Sequence, residues 1–161
     1  MINSLFHHNI CTLIAPATGE LIAVEDVPDE VFSGKMMGDG IAIQVQEGLI
    51  VSPVKGKVIQ IFPSNHALCI LSTEGLEILI HLGIDTVELK GKGFTRLIEP
   101  EAQVEVGTPL IQMDLDSLRD SGKCLISPII ILNKEKVKSL QPAKGFVRAA
   151  EDPVLKVQYK K

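Results

Sequence analysis

Aromatic side chains are scarce. Phe, Tyr and Trp make up 4% of the 161 residues, with five Phe, one Tyr and no Trp. A 45% hydrophobic chain must then fill its core with Val, Ile and Leu, which leans towards strands. Cysteine is equally sparse. Cys11, Cys69 and Cys124 are an odd number without C-x-x-C spacing, which argues against a disulfide framework and reads as reduced thiols in a cytoplasmic protein. Cys69 lies in the apolar run Leu68-Cys69-Ile70-Leu71, where a thiol is inert filler. No basic excess exists: 16 Lys and Arg against 20 Asp and Glu give a net charge of −4, so no nucleic-acid partner is expected. No apolar run approaches the roughly 20 residues a membrane helix needs. The start, Met1 to His8, has no basic segment followed by a long apolar one, so neither a secretory signal nor membrane insertion is expected. His7 and His8 read as solvated tail residues. The phosphate-cradling pattern G-x-x-x-x-G-K-[ST] is missing too, and no ATP site is expected.

What is present is a succession of short strands. Apolar runs at Thr12–Ala15, Glu20–Val24, Ile41–Val45, Val54–Phe62, Ala67–Ser72, Leu76–Leu82, Pro109–Met113, Leu125–Leu132 and Val154–Tyr159 are mostly separated by Gly, Pro, Asn or Asp. That spacing predicts an all-β fold, an antiparallel β-sandwich or partly closed barrel. One or two short helices are expected. Asp114–Ser121 fits two turns, capped by Asp114 or Asp116 and stopped by Gly122, and Asn133–Leu140 fits another. A chain of this length suits one domain, which buries roughly 70% of the surface its unfolded form exposes. We expect an N-terminal tail over residues 1–13 and a single domain over 14–161.

A repeat is legible within that domain. Ala15-Pro16-Ala17-Thr18-Gly19-Glu20-Leu21-Ile22 matches Ser52-Pro53-Val54-Lys55-Gly56-Lys57-Val58-Ile59, and Gln141-Pro142-Ala143-Lys144-Gly145 echoes both. Each is a Pro-initiated turn feeding a strand. Two readings stay open: turn grammar common to β proteins, or a duplicated motif of the barrel-sandwich hybrid kind.

The chemistry points to two histidines. In Leu76 to Leu82 the period is two, with Leu76, Ile78, Ile80 and Leu82 on one face and Glu77, Leu79 and His81 on the other. His81 therefore stands at a strand end, before Gly83. His66 lies one hairpin upstream. If that hairpin turns on two residues, Glu74-Gly75, the histidines are diagonal neighbours about 7–8 Å apart. A three-residue turn shifts the register by one and puts them on opposite faces, unless the Pro63–Asn65 turn breaks the alternation. Paired imidazoles without a serine nucleophile or a third metal ligand suit a group that passes something on. A neutral imidazole attacks phosphorus and forms a labile N-phosphohistidine. His81 is the candidate nucleophile. His66 is the candidate donor to the phosphoryl oxygens, and Ser64 is placed to fix its tautomer.

Longer strings carry a specific resemblance. They are Ile14-Ala15-Pro16, Gly19-Glu20, Glu25-Asp26-Val27-Pro28-Asp29, Gly38-Asp39-Gly40-Ile41-Ala42-Ile43, Asn65-His66-Ala67 and His81-Leu82-Gly83-Ile84-Asp85-Thr86-Val87-Glu88-Leu89-Lys90-Gly91. Over about Ile14 to Val157 the chain resembles the glucose-type enzyme IIA components (EIIA type 1) of the bacterial phosphoenolpyruvate-dependent sugar phosphotransferase system. The resemblance implies a cytoplasmic β-sandwich carrier, phosphorylated on His81 by the phosphocarrier HPr, that donates to a cysteine of a IIB domain. His66 matches the neighbour needed for onward transfer. Ser64 stands where the family has a threonine. A partner-binding ring is implied at Val31, Phe32, Met36, Met37, Phe62, Leu79 and Val87, with Asp29 and Asp85 facing a partner arginine. No cofactor is required. The resemblance also implies regulatory binding to target proteins and a zinc ion that His66 and His81 share with a partner's carboxylate. Three departures stand out: Leu79 replaces an aromatic, Gly34 replaces a larger residue, and the N-terminus carries Leu5 and Phe6 but no lysine.

Two rival readings are distinguishable. A lipoyl- or biotinyl-like swinging arm needs Lys35, beside Met36, at a tight hairpin tip. A zinc hydrolase of related β fold needs a third metal ligand.

Overall fold

A computed structural model describes residues 9–161. The predictions for Met1 to His8, including His7, His8, Leu5 and Phe6, lie outside the described residues. Among the described residues, fourteen strands form three antiparallel sheets. They are β1 (Ile10–Ile14), β2 (Gly19–Ala23), β3 (Asp39–Val45), β4 (Leu49–Val51), β5 (Gly56–Ile61), β6 (Ala67–Ser72), β7 (Glu77–His81), β8 (Phe94–Arg96), β9 (Gln103–Val104), β10 (Pro109–Met113), β11 (Ile126–Ile131), β12 (Val137–Pro142), β13 (Phe146–Val147) and β14 (Pro153–Tyr159). The large sheet runs β13-β2-β3-β11-β7-β6-β5-β9, and the small ones run β1-β14-β12 and β4-β10-β8. The expected all-β sandwich is the observed fold.

Strand alternation explains how the layers stack. Ile41, Ile43, Leu68, Ile70, Ile78, Ile80, Ile129 and Ile131 project from one face of the large sheet into the main core. There they meet Leu13, Leu155 and Val157 from one small sheet and Ile50, Leu110 and Ile111 from the other. The residues between them, Ala42, Ala67, Cys69, Leu79 and Ile130, project from the other face into a second, smaller core, closed by Val24, Val27, Phe32 and Ile84. Both faces of the central strands are therefore covered, which is why Ile129-Ile130-Ile131 is apolar without interruption.

The repeat is a structural duplication. Ile14 N–H donates to the Pro53 carbonyl at 3.0 Å, and Val51 N–H donates to the Pro16 carbonyl at 2.8 Å. The same spacing separates Ile14 from Val51 and Pro16 from Pro53, so the two copies grip each other reciprocally. The third echo, at Pro142, stands outside this exchange and leads into β13.

Helices are few among the described residues, as expected. α1 (Glu30–Ser33) is capped by Asp29, and α2 (Leu115–Asp120) by Asp114, whose carboxylate accepts from Ser117 N–H. The expected helix at Asn133–Leu140 is replaced by a 3-10 turn at Lys134–Lys136 followed by β12. The tail boundary also moves. β1 pairs with β14 from Ile10 onwards, and Cys11 and Leu13 are buried, so residues the sequence assigned to a tail belong to the sandwich.

Candidate functional site

The hairpin of β6 and β7 turns on three residues, not two. Ala67 pairs with His81, and Ser72 N–H donates to the Leu76 carbonyl. The Ser72 hydroxyl also accepts from Leu76 N–H, at 3.0 Å, which favours the wider turn. In that register, strict alternation sends His66 and His81 to opposite faces. The preceding turn breaks the alternation: Asn65 N–H donates to the Phe62 carbonyl, and Asn65 takes a left-handed φ of 57°. His66 leaves the turn rotated towards His81 while its carbonyl still accepts from Leu82 N–H.

The rings meet as a result. His66 and His81 lie 5.2 Å apart, centroid to centroid, edge to face. Phe32 flanks His81 at 5.1 Å, and Phe62 flanks His66 at 5.6 Å. The His81 Nδ1 lies 2.8 Å from the Gly83 carbonyl. A carbonyl only accepts, so Nδ1 carries the proton and Nε2 keeps its lone pair. His81 is half-buried, whereas His66 is 5% exposed. Burial holds the His81 pKa below the ordinary imidazole value, and the Gly83 carbonyl, Asp29 and Asp85 pull it back upwards. His66 is lowered as well, first by burial and then by His81. Both rings are neutral at neutral pH.

Ser64 does not orient His66 here. The His66 Nδ1 is buried with no hydrogen-bond partner among the described residues. The Asn65 turn, not a serine hydroxyl, sets the ring's direction.

The residues expected around the histidines divide by depth. Val31, Met36, Met37 and Val87 are exposed, and Phe62 is half-buried. Leu79 is not surface: at 1% exposure it packs in the second core, because the β7 alternation that presents His81 directs Leu79 to the same covered face. Phe32 is buried too, with its ring tilted against that of His81. Asp29 caps α1 through Val31 N–H at 2.9 Å, and Asp85 is exposed in a left-handed turn. The sequence marked Gly83 only as the residue beyond the strand end and assigned no role to Thr86 or Ser127, yet all three hold the loop after His81.

The rival sites are not assembled. Lys35 follows α1 and pairs with Asp39 at 3.4 Å, away from any hairpin tip. Among the described residues, no group of three or more His, Cys, Asp or Glu side chains is placed to hold a metal ion.

Comparison with known proteins decides between the readings. Residues 11–137 match the family model for the phosphoenolpyruvate-dependent sugar phosphotransferase system, EIIA 1. The chain belongs to this family. It is 40% identical over 156 residues to the glucose-specific EIIA component of Buchnera aphidicola subsp. Baizongia pistaciae, covering 97% of this chain and 93% of that protein. It is 41% identical over 151 residues to the N-acetylglucosamine-specific EIICBA component of Escherichia coli, covering 93% of this chain but only 23% of that longer protein. The glucose permease IIA structure from Mycoplasma capricolum superposes with a TM-score of 0.87 at 36% identity, covering 94% of this chain and 97% of that one. EIIA proteins are phosphotransferase components. Among the described residues, no helix is long and apolar enough to cross a membrane.

Proposed function

We propose that this EIIA protein is a cytoplasmic phosphoryl carrier. It takes a phosphoryl group from phosphorylated HPr onto His81 and hands it to a cysteine of a sugar permease's IIB domain. The observation that carries this reading is a half-buried imidazole with Nδ1 committed to Gly83, Nε2 free and a second imidazole 5.2 Å away.

The Nε2 lone pair forms a bond to phosphorus as the P–N bond of the donor phosphohistidine breaks, and the bonding electrons return to the donor ring. Nδ1 keeps its proton throughout. Positive charge developing on the His81 ring is met by the Gly83 carbonyl and by Asp29 and Asp85. In the second transfer a thiolate sulfur bonds to phosphorus, and the P–N electrons return to Nε2. His66 serves as hydrogen-bond donor to the phosphoryl oxygens. Exposed Val31, Met36, Met37 and Val87 form the docking surface, with half-buried Phe62 beside them and Asp29 and Asp85 meeting a partner arginine. The fused EIICBA architecture of the E. coli relative supports a IIB acceptor.

Regulatory targets use the same face in this reading. The two imidazoles fit half of a tetrahedral zinc shell, so a zinc ion bound there takes its remaining ligands from a partner and ties the two proteins together.

Reconstitution with phosphoenolpyruvate, enzyme I and HPr tests the proposal. His81→Ala should take up no phosphoryl group. His66→Gln should be labelled yet fail to pass the group to a IIB domain. Undiminished labelling of the His81→Ala protein would overturn the reading.

A further inference from the structure

The turn after His81 is held at four points. The peptide unit between Leu82 and Gly83 is fixed at both ends: its carbonyl accepts from the Thr86 hydroxyl at 2.6 Å, and its N–H donates to the Ser127 hydroxyl at 3.0 Å. The next unit is fixed likewise. Its N–H, from Ile84, donates to the Cys124 carbonyl at 2.9 Å, and its carbonyl, that of Gly83, accepts from His81 Nδ1. Both hydroxyls are sealed from solvent, Ser127 at 1% exposure and Thr86 at 0%. We propose that Thr86 and Ser127 are positioning residues for phosphoryl transfer: together they clamp the Leu82–Gly83 peptide and so aim the Gly83 carbonyl that keeps the His81 proton on Nδ1.

Two features make side-chain clamps necessary. The backbone ladder between β11 and β7 ends at Ile129 opposite Ile80, and the next residue of β11, Pro128, has no N–H to extend it. Ser127 reaches the turn from beyond that proline, and its own hydroxyl proton is occupied by the Leu125 carbonyl at 3.1 Å, so its oxygen is left to accept. Gly83 has a φ of 80°, and a glycine peptide reorients at little cost unless it is held. A Cβ at this position would meet Thr86 Cγ2 at 2.6 Å and the Cys124 carbonyl at 2.9 Å, so the close packing that seats Thr86 requires glycine. A released peptide would turn the Gly83 carbonyl away from His81. The proton would then be free to move to Nε2, and a protonated Nε2 has no lone pair with which to attack phosphorus.

This inference rests on the carrier reading and is tested beside it. Nitrogen NMR of histidine-labelled protein reports the His81 tautomer, and labelling from phosphorylated HPr reports the rate. The wild type should hold His81 as the Nδ1–H form. Ser127→Ala and Thr86→Val should raise the Nε2–H population and slow labelling about tenfold, and Thr86→Ser, which keeps the hydroxyl, should recover most of the rate. Folded variants with the wild-type tautomer contradict the clamp, whether their labelling is slowed or not. Should Ser127→Ala fail to fold, equal tautomer populations in Thr86→Val and Thr86→Ser would contradict it. A wild-type protein that takes no phosphoryl group defeats the carrier reading instead, and the tautomer comparison still judges the clamp.

Discussion

An imidazole that accepts a phosphoryl group and later releases it must be neutral, correctly protonated and partly shielded from water. His81 meets these conditions through separate neighbours. Phe32 and the second core shield it, the Gly83 carbonyl fixes its proton, and Asp29 and Asp85 temper the effect of burial. The depressed pKa values of His81 and His66 carry a sign that experiment can read. Well above the ordinary imidazole value of about 6.5 both rings are neutral in the folded and unfolded chain and contribute no pH dependence. Below that value the unfolded chain binds protons that the folded protein resists, so stability falls until the pH has passed the folded-state values. Urea unfolding at pH 7.5 and 5.5 should show this loss in the wild type and a smaller one in a His66→Gln, His81→Gln double variant. Equal losses would contradict the assignment of neutral, buried rings.

Elements show why some of this was legible and some was not. The β7 alternation was readable because the two cores sort odd and even residues, and it led directly to His81. The β6–β7 register was not, because the Ser72 hydroxyl widens the turn and no hydrophobic pattern records that. The convergence of the histidines was equally hidden, since it depends on one left-handed residue, Asn65. β12 looked helical for a physical reason. Its pairing with β14 slips between Val137 and Ser139, so the half-buried residues fall at Val137 and Leu140, a helical spacing. α1 is too short to display any period. Ser127 lies 44 residues from Gly83, and only the sheet brings them together.

The repeat makes an energetic prediction at the same scale. Gly19 and Gly56 occupy equivalent places in the two copies, and a Cβ would come within 1.9 Å of the Gln44 carbonyl oxygen in one and 2.2 Å of the Leu71 carbonyl oxygen in the other. Both obstacles are backbone and cannot swing aside. Gly19→Ala and Gly56→Ala should each destabilise the fold by about 1–3 kcal/mol, measured as a lower urea midpoint. Similar losses are expected because the two sites are structural equivalents, and a neutral outcome at either would contradict the close approach.

The whole molecule places the His81 ring at the end of a strand in a sheet covered on both faces. The main core holds the strands, while the second core exists largely to support the histidine face: Leu79 packs beneath it, Ala67 pairs with His81, Phe32 walls the ring, and Ile84 sits in the following turn. Met36, Val87 and Val31 are exposed, and the proposed docking role draws on the adaptability that suits methionine to a surface serving unlike partners. The family match from residue 11 to 137 takes in the whole of the second core but stops short of Val147, Val154, Leu155 and Val157, which complete the main one. Phosphorus–nitrogen correlation NMR of the phosphorylated, histidine-labelled protein identifies the atom that carries the phosphoryl group. A single phosphorus bonded to Nε2 of His81, with the proton still on Nδ1, is the expected result. A phosphorus bonded to Nδ1, or carried by any other residue, would contradict it.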